Sequence, residues 1–599
     1  MLFEEKSRIR DKNILHFYST WLMFWVCFLC NGECNGQEQE FTTFCNPINI
    51  DYQFNIDTTW FTGRNLWREA ADPVIVTYKG DYYLFASKAG GYWYSNDLST
   101  WTLVEPEGLP LSDYAPTAMV IDDRIYFTAM RSNRIIYSTD DPQKGIWQEV
   151  AEIGPYMLDP ALFLDDDGKV YLYYNGAPNG PIYGVELDPG NGFETVGKPF
   201  ACLYGNYENR GWECRGDENL GVRRGNNLEI NPWIEGAWMT KHKGIYYLQY
   251  AAPGTEFKSY ADGVFTASKP TGPFVYAPYS PFSHKPTGFI TAAGHGGMFQ
   301  DKQGKYWKVA TMFVGGASDV DRRVGIFPTT FDEDGQLRAD TYFGDYPQYL
   351  PRLRKNTRDH NLAGWMLLSY KKKARASSSR QSHQVDNAVD EDIQTYWSAA
   401  TGHRGEWLEI DLGKTCKVFA IQVNFADYNV ITFGRKFYHQ YQIEASPDAE
   451  SWELIVDKSN SRRDAPHDYL ELRKPVQCRF VRIKNIFSPG LGNFSIRDLR
   501  IFGDGLGRKP EAVNKFEVQR NPDDQRRAIV KWDKTLRADG YIVRYGILPD
   551  KLYNNYQIYE GNEIVINSLN AGVDYYFKVD SSNDSGISYG ESIQFSRAE

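Results

Sequence analysis

The sequence predicts an all-β protein in which a five-bladed β-propeller is followed by two smaller β-sandwiches. The leading observation is a motif that recurs five times between residues 70 and 310: a small or acidic residue, a short apolar strand, a polar turn and an aromatic-rich strand. Its copies are DPVIVTYKGDYYLFAS from Asp72, APTAMVIDDRIYFTAM from Ala115, DPALFLDDDGKVYLYY from Asp159, EGAWMTKHKGIYYLQY from Glu235 and HGGMFQDKQGKYWKVA from His295. β-Hairpins repeated at roughly forty-residue spacing are the pattern of propeller blades, small sheets that bury their faces only against their neighbours. A second observation agrees: aromatic residues make up 15% of the chain, with 41 Tyr and 16 Trp, and such residues favour strands. The third is the period-2 alternation that continues beyond the repeats.

Each element follows in order. Within every copy a turn pair, such as Lys79-Gly80, Asp122-Asp123, Asp167-Gly168, Lys243-Gly244 or Gln303-Gly304, separates the two strands. The propeller is placed at residues 45–368. Equal register in each blade means equal height and radius about the axis, so Asp72, Asp159 and Glu235 converge on one end of the channel. Three carboxylates in one pocket point to acid–base chemistry. Longer intervals precede Glu235 and His295, and YGNYENRGWECRGDENLGVRRGNN (204–227) has the composition of a long loop, of the kind that shapes pockets. A basic, Ser-rich link, SYKKKARASSSRQSH (369–383), leads to strands such as EWLEIDLG (406–413) and VFAIQVNFA (418–426) in a domain at 374–504. The last domain, 508–599, carries Trp532, YIVRYG (541–546) and VDYYFKVDSSNDSGIS (573–588), the alternation and turns of a small sandwich.

Composition narrows the function. The formal net charge is −11, and no long basic run offers nucleic acid a footprint. The first 36 residues read as a secretory signal. Lys6, Arg8, Arg10 and Lys12 precede the apolar run Trp21–Cys30, with cleavage expected near Gly36-Gln37. That run is too short to span a bilayer, and no later segment is long and apolar enough, so a soluble periplasmic or extracellular protein is expected. Of the eight cysteines, Cys27, Cys30 and Cys34 leave with the leader; Cys45, Cys202, Cys214, Cys416 and Cys478 remain, too sparse for a disulfide framework. Cys202 and Cys214 bracket the long loop and are open either to pairing or to remaining free thiols. No Cys/His spacing resembles a zinc site.

The opening dipeptides Asp72-Pro73, Ala115-Pro116, Asp159-Pro160 and Glu235-Gly236, with Gly294-His295-Gly296, occur in order and in matched register. In these the propeller resembles glycoside hydrolase family 43, five-bladed enzymes acting on arabinose- and xylose-containing polysaccharides. The resemblance implies Asp72 as general base, Glu235 as general acid and Asp159 as the carboxylate that orients the acid and raises its pKa. An inverting glycosidase needs one ionised carboxylate to activate water and one protonated carboxyl for the leaving oxygen. The resemblance also implies an axial metal ion, usually calcium, held by His295 directly or through water, and a substrate-binding Arg at Arg322 or Arg323. Trp93, Phe289, Trp233 and Trp238 are candidates to stack on sugar. No organic cofactor is expected.

Residues 374–504 resemble a discoidin-like domain of the carbohydrate-binding kind, through AVDEDIQTYWSA (388–399), EWLEIDLG and IRDLRIFG (496–503). There Asp390, Asp392 and Thr395 crowd hard oxygen ligands into one turn, a candidate calcium site. The last segment resembles a fibronectin type III sandwich, with Trp532 in its core and Tyr575 at a tyrosine corner. Since all three acids belong to the propeller, both modules read as accessories whose removal spares activity on small substrates. The leading expectation is a secreted, inverting exo-α-L-arabinofuranosidase, with β-xylosidase as the alternative. A non-catalytic carbohydrate-binding propeller is the reading from another class. The oligomeric state is not written in the sequence.

Overall fold

The computed structural model describes residues 43–54, 67–110, 113–130, 134–154, 157–177, 180–316, 320–350, 361–431 and 437–598. The leader expected at residues 1–36 lies outside them. No helix among the described residues is long and apolar enough to cross a membrane.

Among the described residues the repeats form five small antiparallel sheets, each a meander in chain order. The first runs Ala71–Tyr78, Asp81–Ser87, Tyr92–Ser95, Thr102–Val104; the second Thr117–Ile121, Arg124–Thr128, Ile135–Thr139, Gln148–Glu152. The third is Ala161–Leu164, Val170–Tyr174, Ile182–Asp188, Glu194–Leu203; the fourth Glu235–His242, Ile245–Ala252, Ala261–Ala267, Val275–Tyr276. In the fifth, Thr291–Gly294 and Met298–Gln300 both pair with Tyr306–Phe313, which leads to Arg322–Phe331 and Leu337–Ala339.

Strand periodicity closes these sheets into a ring. Successive side chains point to opposite faces, so along Asp81–Ser87 Tyr82 and Leu84 join Trp307 and Val324 of the fifth sheet, while Tyr83 and Phe85 join Ile125 and Phe127 of the second. The same division holds around the circle. Met119 and Ile136 pack on Leu172 of the third sheet, Tyr171 and Tyr173 on Leu248 of the fourth, and Val264 on Ala310 and Met312 of the fifth. Each core aliphatic or aromatic side chain so buried contributes about 1.5–3 kcal/mol. The N-terminal segment fastens the ring: Thr43–Phe44 pairs with Gln348–Tyr349, and Asn46 Nδ2 donates to Ile326 O at 2.9 Å.

Two expectations about the chain beyond the ring need correction. The Ser-rich link at 369–383 is not a spacer: Lys373–Ala376 is a strand paired with Trp407–Phe425, because Ala374 and Ala376 alternate inward while the charged residues face out. Met366–Leu367 already pairs with Ser495–Asp504, so the propeller stops short of residue 368. The second domain is built on the long strands Trp407–Phe425 and His467–Phe487, bent where their registers slip, around Trp397, Ile421 and Phe494. The third packs the sheet Phe516–Arg520, Ala528–Trp532, Glu563–Ile566 on one centred on Gly540–Gly546 and Tyr575–Asn583, with Trp532 in the core. Tyr575 Oη accepts the Asn570 N–H at 3.0 Å.

Neither module stands clear of the propeller. Arg68 is fully buried between Asp464 at 2.7 Å and Asp427 at 2.9 Å of the second domain. Arg500 of that domain reaches back to Asp345 O. Cys202 and Cys214 are unpaired, their thiols directed at the carbonyls of Phe200 and Ile230.

Candidate active site

The inner ends of the sheets share one backbone device. Asp72, Ala115, Asp159 and His295 sit at φ of 49°, 47°, 47° and 35°, and in the fourth sheet the left-handed residue is Gly236, at 61°. Left-handed non-glycine residues cost on the order of 1–3 kcal/mol and gather at functional sites. Here they coincide with breaks in register between Ala71 and Val74 and between Glu235 and Trp238; such bulges re-aim side chains. Glycine is required after Glu235 for a further reason: a Cβ there would stand 2.5 Å from Cγ of His295.

The result is a cavity of about 250 Å³ lined by Asp72, Asp159, Glu235, His295, Trp233 and Arg322, together with Tyr114, Met130, Asn175 and Thr255. Asp72 is buried. Ser87 Oγ donates to its Oδ2 at 2.6 Å, its own N–H donates to Thr311 Oγ1 at 2.7 Å, and Arg322 Nη1 lies 3.3 Å and His295 Nδ1 3.2 Å from Oδ1. Burial alone would raise its pKa, but Arg322, His295 and the two hydroxyls together hold it below the usual carboxylate value.

Glu235 goes the other way. Burial, reinforced by the charge of Asp159, pushes its carboxyl up to about 7, although His295 and hydrogen bonds from Tyr260 and Trp233 favour the ion. Trp233 Nε1 donates to Oε2 at 2.6 Å and Tyr260 Oη to Oε1. Asp159 is itself raised, by burial and then by Asp72, with His295 opposing. His295 stands among the acids, its Nδ1 3.9 Å from Asp159 Oδ2 and its backbone N–H 2.7 Å from Asp262 Oδ1. Burial lowers its pKa, but Asp72, Asp159, Glu235 and Asp262 together raise it above the ordinary value.

Several expected residues lie elsewhere. Arg322 and Arg323 are neighbours on one strand and so point to opposite faces. Arg322 lines the cavity, held by Asp72, Glu69 and Thr255, whereas Arg323 donates to His467 Nε2 at 2.8 Å in the second domain. Trp93 is fully buried between the first and fifth sheets. Phe289 is buried under the Arg500 guanidinium, 4.5 Å from its centroid. Trp238 fills the seam between sheets. Trp233 does reach the cavity, but as a hydrogen-bond donor to Glu235. Ser87, Thr311 and Tyr260 carried no sequence signal, since a hydroxyl at a strand end gains meaning only from what folds against it.

Asp159, Glu235 and His295 offer ligand atoms within 4.8 Å of one another, close enough to share a cation. That set does not suit calcium: one ligand is a nitrogen, and a cation would strip the proton that Glu235 is placed to carry. In the second domain the expected ligands belong to one turn. Thr395 Oγ1 donates to Asp390 Oδ2 at 2.7 Å, and burial raises Asp390 to about 6. Asp498, within electrostatic reach, has Oδ1 buried without a hydrogen-bond partner. Of the three expected calcium ligands, Asp390 and Thr395 are thus engaged with each other, and the Asp392 carboxylate accepts the Gln394 N–H at 2.9 Å and shapes the turn.

Residues 66–337 match the family description Glycosyl hydrolases family 43, and residues 373–497 match F5/8 type C domain. The propeller is a family 43 glycosyl hydrolase domain. Beta-D-galactofuranosidase xynD of Aspergillus niger is 25% identical over 307 residues, covering 45% of this chain and 81% of that protein. Xylosidase/arabinosidase 43A of Humicola insolens is 29% identical over 188 residues, covering 27% of this chain and 56% of that protein. A solved glycoside hydrolase is 20% identical with a TM-score of 0.43, covering 72% of this chain and 97% of that one. Within the family 43 domain, Asp72, Asp159 and Glu235 are the carboxylates that line the cavity.

Proposed function

We propose that the protein is an exported, inverting exo-glycosidase that removes single pentosyl or other furanosyl residues from plant polysaccharides or their oligosaccharides. An α-L-arabinofuranosidase is the first choice and a β-xylosidase the second. The observation that carries this reading is the opposite displacement of two carboxyls in one cavity, Asp72 held ionised and Glu235 held protonated. At about 250 Å³ the cavity is smaller than the roughly 300–1,000 Å³ of drug-sized ligand pockets and suits one sugar ring rather than a chain. The related xylosidase/arabinosidase and galactofuranosidase support a pentose or furanose as the ring it takes.

The chemistry follows from the charges. Asp72 draws a proton from water, which attacks the anomeric carbon. Glu235 gives its proton to the departing oxygen as that bond breaks, and Asp159 keeps the proton on Glu235 until then. Arg322, bound to Asp72 and Glu69, keeps the base in its anionic form. Hydrolysis of aryl α-L-arabinofuranosides, β-xylosides and β-D-galactofuranosides, compared side by side, tests the assignment; a protein inert on all of them overturns it.

Two further outcomes are expected. Proton NMR of the first-formed sugar, read before mutarotation, should show inverted configuration, and retention would reject the scheme. The pH profile of kcat/KM should be bell-shaped. Asp72 must be ionised, so activity rises with pH through a pKa below the usual aspartate value; Glu235 must be protonated, so activity falls as pH passes about 7. An alkaline limb that persists in a Glu235→Gln variant would assign that limb to another group.

A further inference from the structure

We infer that the C-terminal sandwich is a working part of the catalytic wall: through residues 567–571 it fixes the loop 206–219, whose Arg215 seats Trp233 against Glu235. The inference rests on the reading of Glu235 as the general acid.

The contact between sandwich and loop is a short antiparallel pairing. Gly211 N–H donates to Leu569 O at 2.9 Å, Ala571 N–H donates to Asn209 O at 2.8 Å, and Arg210 bridges Asn570 between them. Side chains reinforce it. Asn567 Nδ2 donates to Glu218 O at 2.9 Å, Arg526 Nη1 to Tyr207 O at 2.7 Å, and Tyr276 Oη to Asn570 Oδ1 at 3.0 Å. The approach is so close that a Cβ on Gly211 would fall 2.2 Å from Asn567 O. The loop is also stiff within itself: Asn219 Nδ2 donates to the carbonyls of Trp212 and Cys214, and buried Glu213 is held by Arg210 and Tyr250.

Arg215 carries this rigidity to the acid. Its guanidinium pairs with Glu256 at 2.5 Å and Glu229 at 3.5 Å and lies over the Trp233 ring, 5.5 Å from the centroid. Trp233 in turn donates to Glu235 Oε2. An indole covered by a paired guanidinium is held in place, and with it the orientation of the carboxyl to which it donates. The other charged or titratable groups around Glu235 are Asp159, His295 and Tyr260, with Asp72 and Arg322 across the cavity. Loosening the loop frees Trp233 to move and admits water on its side of the carboxyl. The burial that raises Glu235 is then partly lost, and the acid gives up its proton at lower pH.

The test uses the full-length protein, an aryl pentoside and pH profiles of kcat and KM. Arg215→Ala is expected to lower kcat about tenfold with KM little changed and to move the alkaline limb down by roughly half a pH unit. Arg215→Lys should restore part of both. A double variant in the sandwich, Asn567→Ala with Arg526→Ala, should move the same limb in the same direction. Lys551→Ala breaks the sandwich's ion pair with Asp332, 2.7 Å, away from the loop. It should lower the melting temperature and leave the limb in place. If Arg215→Ala and the sandwich double variant leave the limb unmoved, or if Lys551→Ala moves it equally, the inference fails. An enzyme that keeps its activity in Glu235→Gln overturns the general-acid reading instead.

Discussion

Glu235→Gln is expected to lower turnover of natural glycosides by roughly 10³-fold, within the span found for general-acid catalysis, and to leave the melting temperature unchanged. Three decades correspond to about 4 kcal/mol of transition-state stabilisation. The fold survives because the amide keeps both contacts of the carboxylate it replaces. Its oxygen accepts from Trp233 Nε1, and its nitrogen donates to Tyr260, whose hydroxyl turns to accept. What disappears is the proton for the leaving oxygen. A dinitrophenyl leaving group needs little protonation, so the loss on such a substrate is far smaller. Equal losses on both substrates would take the acid role from Glu235.

Deleting residues 374–599 is expected to unfold the propeller rather than trim it. Arg68 loses Asp427 and Asp464 together, Arg323 loses His467, and Asp345 loses Arg500. Tyr342, Phe343 and Tyr346 also lose Ala420, Phe502, Ile542 and Ile587 from their shared core; large apolar side chains returned to water cost about 1.5–3 kcal/mol each, which together approach the entire stability of roughly 5–15 kcal/mol typical of a folded protein. The truncated chain is expected in the insoluble fraction, without a cooperative melt. A soluble fragment melting within a few degrees of the intact protein would restore the accessory role that the sequence suggests for these modules.

The propeller and its three acids were legible because they repeat. A blade is a local unit, and the opening residue, turn and second strand return in the same register, so Asp72, Asp159 and Glu235 declare themselves without any knowledge of packing. Residues acting across blades or domains had no such pattern. Trp93 and Phe289 are aromatic residues of the right kind on the wrong face, and Arg323 differs from Arg322 by a single step of the strand. Lys373–Ala376 looked like a link because its lysines and serines hide an alternation only two alanines deep. The bond from Tyr260 to Glu235 and the pairing of Gly211 with Leu569 join distant parts of the chain, which composition and spacing do not encode.

The ring also sets when the protein becomes competent. A nascent chain that has emerged as far as Glu235 holds all three carboxylates, but none of His295, Thr311 or Arg322, which settle the charge on Asp72. Without the fifth sheet, its acids lack the His295 and Arg322 that complete the lining of the cavity. The fifth sheet must then form and meet both the first sheet and the N-terminal segment around Ile48, which donates its N–H to Val324 O. The cavity is therefore assembled from both ends of the propeller sequence, and its lining is complete only once His295 and Arg322 have been made.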